Sequence, residues 1–275
     1  MSRSWRRRFS AALFADRVAW AVRDGGLRST IAPQGVERIA APESGPPWLT
    51  AVEALAAALD ASGKPRPELA VVLSGQFVRT LLVPWPAGVE EDVEGTALAG
   101  HHFQRVFGDD PASWEIAFDR DALGTARLAC AVERELLAAL RTAADATGVR
   151  LVSVTPLLVS SFNLWRRRIA RGATLFVLAE RGRYCAATLK DGAWTSVRCA
   201  RLAGEGSELL AEVIEREAGL AGDGGIQVLA YAPELPDFAV SPELAPRLTR
   251  LTLGDQPGSP LLTEPAAAFA MGTLV

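Results

Sequence analysis

The chain has 275 residues, 49% of them hydrophobic and 22% charged, with a formal net charge of −3. That length supports one large core or two modest ones. The composition excludes disorder, and the slight negative charge leaves no basic field for nucleic acid to exploit. No apolar run reaches the ~20 residues that cross a bilayer. Three cysteines, Cys130, Cys185 and Cys199, form an odd set without CxxC or Cys/His spacing. They argue against a disulfide framework or a zinc site, and for a reducing cytoplasm.

The first residues carry Arg3, Arg6, Arg7 and Arg8 ahead of an apolar stretch, as a signal peptide does. Asp16 and Arg17 break that stretch and no small-residue cleavage site follows, so the segment is read as retained and as the first strand. A secondary reading lets these arginines touch anionic lipid, at about 1 kcal/mol each. Residues 10–31 read as strand, turn at Asp24-Gly25-Gly26, and returning strand. A Pro/Gly-rich stretch over 41–47 leads to a helix over 51–61. Its stripe is Val52, Leu55, Ala56 and Leu59, with Thr50 and Glu53 as a capping box.

Leu69–Leu73 and Phe77–Val83 are β-rich, and Pro84-Trp85-Pro86 ends the second run because proline cannot donate to a ladder. A helix is expected over 90–107, with Val93, Thr96, Gly100, Phe103 and Phe107 on one face. Strands follow at 114–119 and 126–132, then a helix over 133–147 stopped by Gly148. A strand at 149–154 closes a run that describes a split α/β module. Residues 164–172, including Arg166, Arg167 and Arg168, read as a linking helix. Strands at 175–179, 184–189 and 194–202, a helix over 205–218, strands at 227–231 and 248–253, and a short helix at 266–271 complete the chain. No repeat of fixed period is visible.

The search for chemistry turns up little. His101 and His102 are adjacent, so on a helix they point about 100° apart and share neither a metal nor a proton. Ser74 lacks the first glycine of a GxSxG elbow, and no P-loop or GxGxxG fingerprint is present. Gly204-Glu205-Gly206 before a helix could cradle a phosphate or simply make a tight turn. Glu90, Glu91, Asp92 and Glu94 complement a helix N-terminus, and the three arginines at 166–168 read as a solvated face.

With these elements in place, LAVVLSGQFVRTLLVPWP (69–86), the helix and SWEIAF strand after it, 126–140 and 149–163 resemble the inserted subdomain of actin-like pilus and secretion proteins. That family is typified by PilM and the cytoplasmic part of GspL, and shares the subdomain loosely with FtsA. LFVLAERGRYCAATLKDGAWTSVRCARLAG (175–204) resembles the first hairpin of the second actin-like lobe, and EPAAAFAMGTLV the closing helix.

The resemblance implies a two-lobed α/β, ribonuclease H-like fold. Its expected parts are a first lobe over 1–66, an inserted subdomain over 67–156, a linking helix over 157–172 and a second lobe over 173–275. It also implies a cytoplasmic platform protein, peripheral to the inner membrane, that docks the cytoplasmic tail of a PilN-like partner and contacts an assembly ATPase. The tail would lie between the first lobe and the inserted subdomain, against Phe77, Leu81, Trp85 and Phe103. Trp85, in its Pro-Trp-Pro turn, is expected to be an exposed anchor.

The family's nucleotide site would map onto Glu180, Gly182, Gly204 and Gly206. Here the first phosphate hairpin, 11–18, has no glycine to let the backbone approach a phosphate. Arg183 and Tyr184 are bulky in the second, and Gly254-Asp255-Gln256-Pro257-Gly258 is the nearest match to the adenosine segment. These departures argue for a non-catalytic adaptor without bound ATP or magnesium. The competing reading is an ATPase or kinase with a divergent site, in which Asp16 or Glu180 would position the metal.

Overall fold

The computed structural model describes residues 7–24, 30–63, 67–90, 93–108, 110–119, 126–169, 172–202, 206–222, 225–255 and 264–273. Gly25, Gly26, Glu91, Asp92, Gly204, Arg3, Arg6 and the stretch 256–258, all singled out by the sequence, lie outside them. Two compact units result. The first joins residues 1–77, 135–164 and 252–275, and the second joins 78–134 and 165–251.

The first unit is built on a five-stranded sheet ordered β3-β2-β1-β4-β8. Strands β1 (Arg8–Leu13), β2 (Arg17–Asp24) and β3 (Thr30–Arg38) form an antiparallel meander, while β4 (Glu68–Leu73) and β8 (Arg150–Pro156) add in parallel. Every residue of β4 is buried, which is why its sequence is a continuous apolar run rather than an alternating one. Gly35 sits opposite Trp20, where an added Cβ would fall 2.3 Å from the indole. A glycine there lets the ring lie flat over the neighbouring strand.

Helix α1 (Leu49–Ala61) buries Ala51, Val52, Ala54, Leu55 and Leu59. The expected capping box is not formed: the N-cap is Trp48, and Thr50 lies inside the helix with its hydroxyl donating to the Ala40 carbonyl at 3.0 Å. Helix α3 (Arg134–Thr147) ends as expected, with Gly148 at φ 67° and the Val149 N–H donating to the Ala144 carbonyl at 2.9 Å. Helix α4 spans Leu157–Trp165, the first part of the linking helix expected over 157–172, and Arg166–Arg168 is an exposed 3₁₀ turn. Arg7 and Arg8 are tied to the sheet rather than trailing from it. Arg7 Nη1 donates to the Ser62 carbonyl at 2.8 Å, and Arg8 pairs with the buried Glu68 at 3.6 Å.

The second unit holds two sheets. The antiparallel three-stranded sheet β5-β7-β6 uses β5 (Val78–Val83), β7 (Arg127–Glu133) and β6 (Trp114–Phe118), with helix α2 (Val93–Phe107) packed against it. The five-stranded sheet β11-β10-β9-β12-β13 uses β9 (Ala173–Glu180), β10 (Arg183–Lys190), β11 (Ala193–Arg201), β12 (Gln227–Tyr231) and β13 (Leu248–Arg250). Helix α5 (Ser207–Leu220) buries Leu210, Val213 and Ile214 against Leu175, Val177, Ala186 and Val228.

Both five-stranded sheets have the same plan, an antiparallel meander followed by two parallel strands. This internal duplication left no periodic trace in the sequence. The expected split α/β module over 67–156 is also too wide. Its first and last strands, β4 and β8, pair in the first sheet, and only 78–134 falls in the second unit. No helix among the described residues is long and apolar enough to cross a membrane.

Candidate functional site

The first hairpin turns at Phe14–Asp16, where the Phe14 N–H donates to the Arg17 carbonyl at 3.0 Å. Both side chains are buried, and the Arg17 guanidinium stacks over the Phe14 ring at 3.9 Å and pairs with Asp16. Phe14 in turn packs on Phe269 with centroids 5.6 Å apart. The bend is therefore filled by side chains.

The second hairpin, Glu180 to Arg183, turns with Gly182 at φ 75°, a conformation that favours glycine. Glu180 is buried at the end of β9. Burial pulls the half-buried Arg183 guanidinium below its ordinary value; Glu180 opposes this, and Arg201 and Arg79 add to it. Gly206 has extended backbone at the start of α5.

The expected docking residues have separate fates. Phe77 closes the first unit and is buried. Trp85 is not an exposed anchor: it is 3% exposed, with its Nε1 donating to the Val89 carbonyl at 3.2 Å. Phe118 lies 4.8 Å from its ring and the buried Arg127 guanidinium 4.2 Å above it. Phe103 joins the same core with Val83, Ala129 and Ala131, and only Leu81 is half-exposed.

This core also rotates α2 from its expected orientation. Gly95, Ala99, Gly100 and Phe103 face inward, while Val93 is 79% exposed and Thr96 faces solvent. The reason is steric, because a Cβ at Gly95 would sit 2.6 Å from the Trp85 ring and 2.9 Å from the Glu90 carbonyl.

The remaining candidates are local structure. His101 is exposed, and burial pushes the His102 imidazole down, with Arg105 and His101 adding to the effect. Ser74 Oγ accepts from the Gln76 N–H at 3.1 Å, which makes a turn. The cysteine reading needs correction, since Cys185 and Cys199 are disulfide-bonded across β10 and β11. Cys130 is free, and burial pushes its thiol up to about 11, with the Thr80 hydroxyl 3.8 Å away. Its thiol is expected to resist alkylation in the folded protein at pH 8 and to react on unfolding, a difference readable by mass spectrometry with and without urea.

The two duplicated sheets with a small inserted α/β element define an actin-like fold. The chain superposes with a TM-score of 0.63 on a PilM–PilN type IV pilus biogenesis complex, at 14% identity over 97% of this chain and 98% of that one. The cytoplasmic domain of EpsL, an inner-membrane component of the type II secretion system of Vibrio cholerae, gives 0.62 at 13% identity, over 98% and 94%. A Bacteroides thetaiotaomicron protein with an actin-like ATPase fold and unknown function gives 0.55 at 7% identity, over 90% and 92%. No protein-family model matches the sequence, and no curated protein matches it significantly.

An ATPase fold implies a nucleotide and Mg²⁺, and the first hairpin does not fit a phosphate. Phe14 and Arg17 fill the first hairpin, whereas the second turns at Gly182 with open space around that residue and Glu180 buried at its start. Among the described residues no three His, Cys, Asp or Glu side chains gather to hold a metal ion.

Proposed function

We propose that this protein is a non-catalytic cytoplasmic adaptor of a type IV pilus or type II secretion-like machine. It is recruited to the inner membrane by the cytoplasmic tail of a membrane partner, as a PilN-like protein would provide. Contact with the machine's assembly ATPase belongs to the same reading. The observation that carries the proposal is the first hairpin, filled by the buried Phe14 and Arg17 side chains, within a fold shared with PilM and the EpsL cytoplasmic domain. Function belongs to the site and not to the fold, and the buried Phe14 and Arg17 side chains at the first hairpin support the non-catalytic reading.

In this reading the tail lies against the inserted sheet, where Leu81 offers half-exposed apolar surface over a floor of Trp85 and Phe103. Basic residues are frequent in the cytoplasmic tails of membrane proteins. A synthetic basic-apolar tail peptide is expected to bind with micromolar affinity by calorimetry, and Leu81→Ala to weaken it by about tenfold. Mg-ATP at millimolar concentration is expected to give neither heat nor thermal shift, and Glu180→Ala to change nothing further. Saturable ATP binding with no peptide binding would reverse the assignment toward an enzyme.

A further inference from the structure

In the antiparallel ladder of β10 and β11, Cys185 lies directly opposite Cys199, with the Cα atoms 4.1 Å apart. The register runs from Arg183↔Arg201 through the cysteines to Thr188↔Ser196, and Asp191-Gly192 turns the hairpin. The ladder itself therefore brings the two sulfurs together, so a reduced hairpin would still hold its thiols at high effective concentration. Cys185 is buried and Cys199 half-buried, which makes Cys199 the more accessible of the two residues.

Strand alternation puts Arg183 and Arg201, two residues along each strand, on the same face as the cysteines. Arg79 of β5 is near enough to act on Arg183 electrostatically, and Glu180 offsets part of this positive field. A net electropositive neighbourhood favours the reactive thiolate. On one side β11 is the edge of its sheet, and it packs beside β5 and β7 of the inserted sheet.

We propose that Cys185 and Cys199 are a reversible thiol–disulfide couple whose oxidation by a small-molecule disulfide, such as glutathione disulfide, fastens β11 to β10 beside the inserted sheet. The Cys199 thiolate attacks one sulfur of the oxidant and displaces one thiolate. The Cys185 thiolate then attacks Cys199 in that mixed disulfide and displaces the second. Two protein thiols become one disulfide, and the oxidant leaves as two thiols that take up the two protons. The setting depends on the adaptor reading. In the cytoplasm the couple is open at rest and closes under oxidant, stiffening the flank of the sheet that carries Leu81.

The full-length protein is equilibrated in glutathione buffers from reducing to oxidising, quenched with acid, unfolded and alkylated, and its modified cysteines are counted by intact mass. The expected result is a single reversible passage from all three cysteines modified to Cys130 alone. All three modified throughout, Cys130 alone throughout in a folded protein, or a stable glutathione adduct at the oxidising end would each overturn the proposal. Hydrogen exchange supplies the second readout: amides of Val197–Arg201 are expected to exchange about tenfold more slowly in the oxidised form, and equal exchange refutes the fastening. Neither measurement uses the tail peptide, so failure of the couple and failure of the adaptor reading are separately visible.

Discussion

Trp85→Ala is expected to lower the stability of the second unit by about 3–5 kcal/mol, the range for truncating a buried aromatic side chain. Three contacts lead to that figure. The indole fills space against Phe118 and over Gly95, its N–H is satisfied by the Val89 carbonyl, and its face covers the guanidinium of the buried Arg127. Truncation opens a cavity that Gly95 cannot fill and removes the aromatic face from a buried cation. Trp85→Phe keeps most of the apolar volume and is expected to lose about 1 kcal/mol for the missing hydrogen bond. Urea unfolding followed by circular dichroism measures both. A loss below about 1 kcal/mol for Trp85→Ala, coupled with weaker tail binding, would restore the exposed-anchor reading.

The second large effect is expected at the other unit's C-terminal segment. Phe269→Ala should cost about 3–5 kcal/mol by the same cavity argument. Residues Pro265–Thr273 form a 3₁₀ helix where a short helix is expected over 266–271, and Ala266 through Met271 are all buried. Their small side chains let this backbone approach β1, β2 and β4, where Ser10 Oγ donates to the Ala270 carbonyl at 2.6 Å. Phe269 is the large side chain that wedges against Phe14, and through it against Arg17. Its loss is expected to loosen the first hairpin as well, seen as faster proteolysis near residues 14–17. Unchanged stability would mean that the segment is a dispensable covering and that Phe14 is held by the hairpin alone.

The contrast between these two residues shows where sequence reasoning ended. Phe269 sits in a segment whose burial was legible, because an Ala-rich apolar run with a single aromatic has no polar face to offer water. The burial of Trp85 has no local signal, because the flanking prolines mark only a turn, whereas the contacts that bury it come from Arg127 and Gly95, 42 and 10 residues away in the chain. The rotation of α2 has the same origin. A tally of apolar residues favoured Val93, but the indole requires a residue without a side chain, and so it selects the face bearing Gly95.

Most strands and helices and several of their stops were legible from periodicity, proline and glycine over a few residues, but the turn at 14–16 and the strand Thr30–Arg38 were not, since residues 10–31 read as one strand and its return. Residues 11–18, at the first hairpin, visibly carry no glycine. Strand pairing is set by long-range packing: β4 and β5 are neighbours in the chain yet enter different sheets, since parallel pairing of β4 with β1 and β8 leaves no local signal. The tertiary structure alone placed Cys185 against Cys199, because register across a hairpin is set by the whole ladder and not by the spacing of two cysteines.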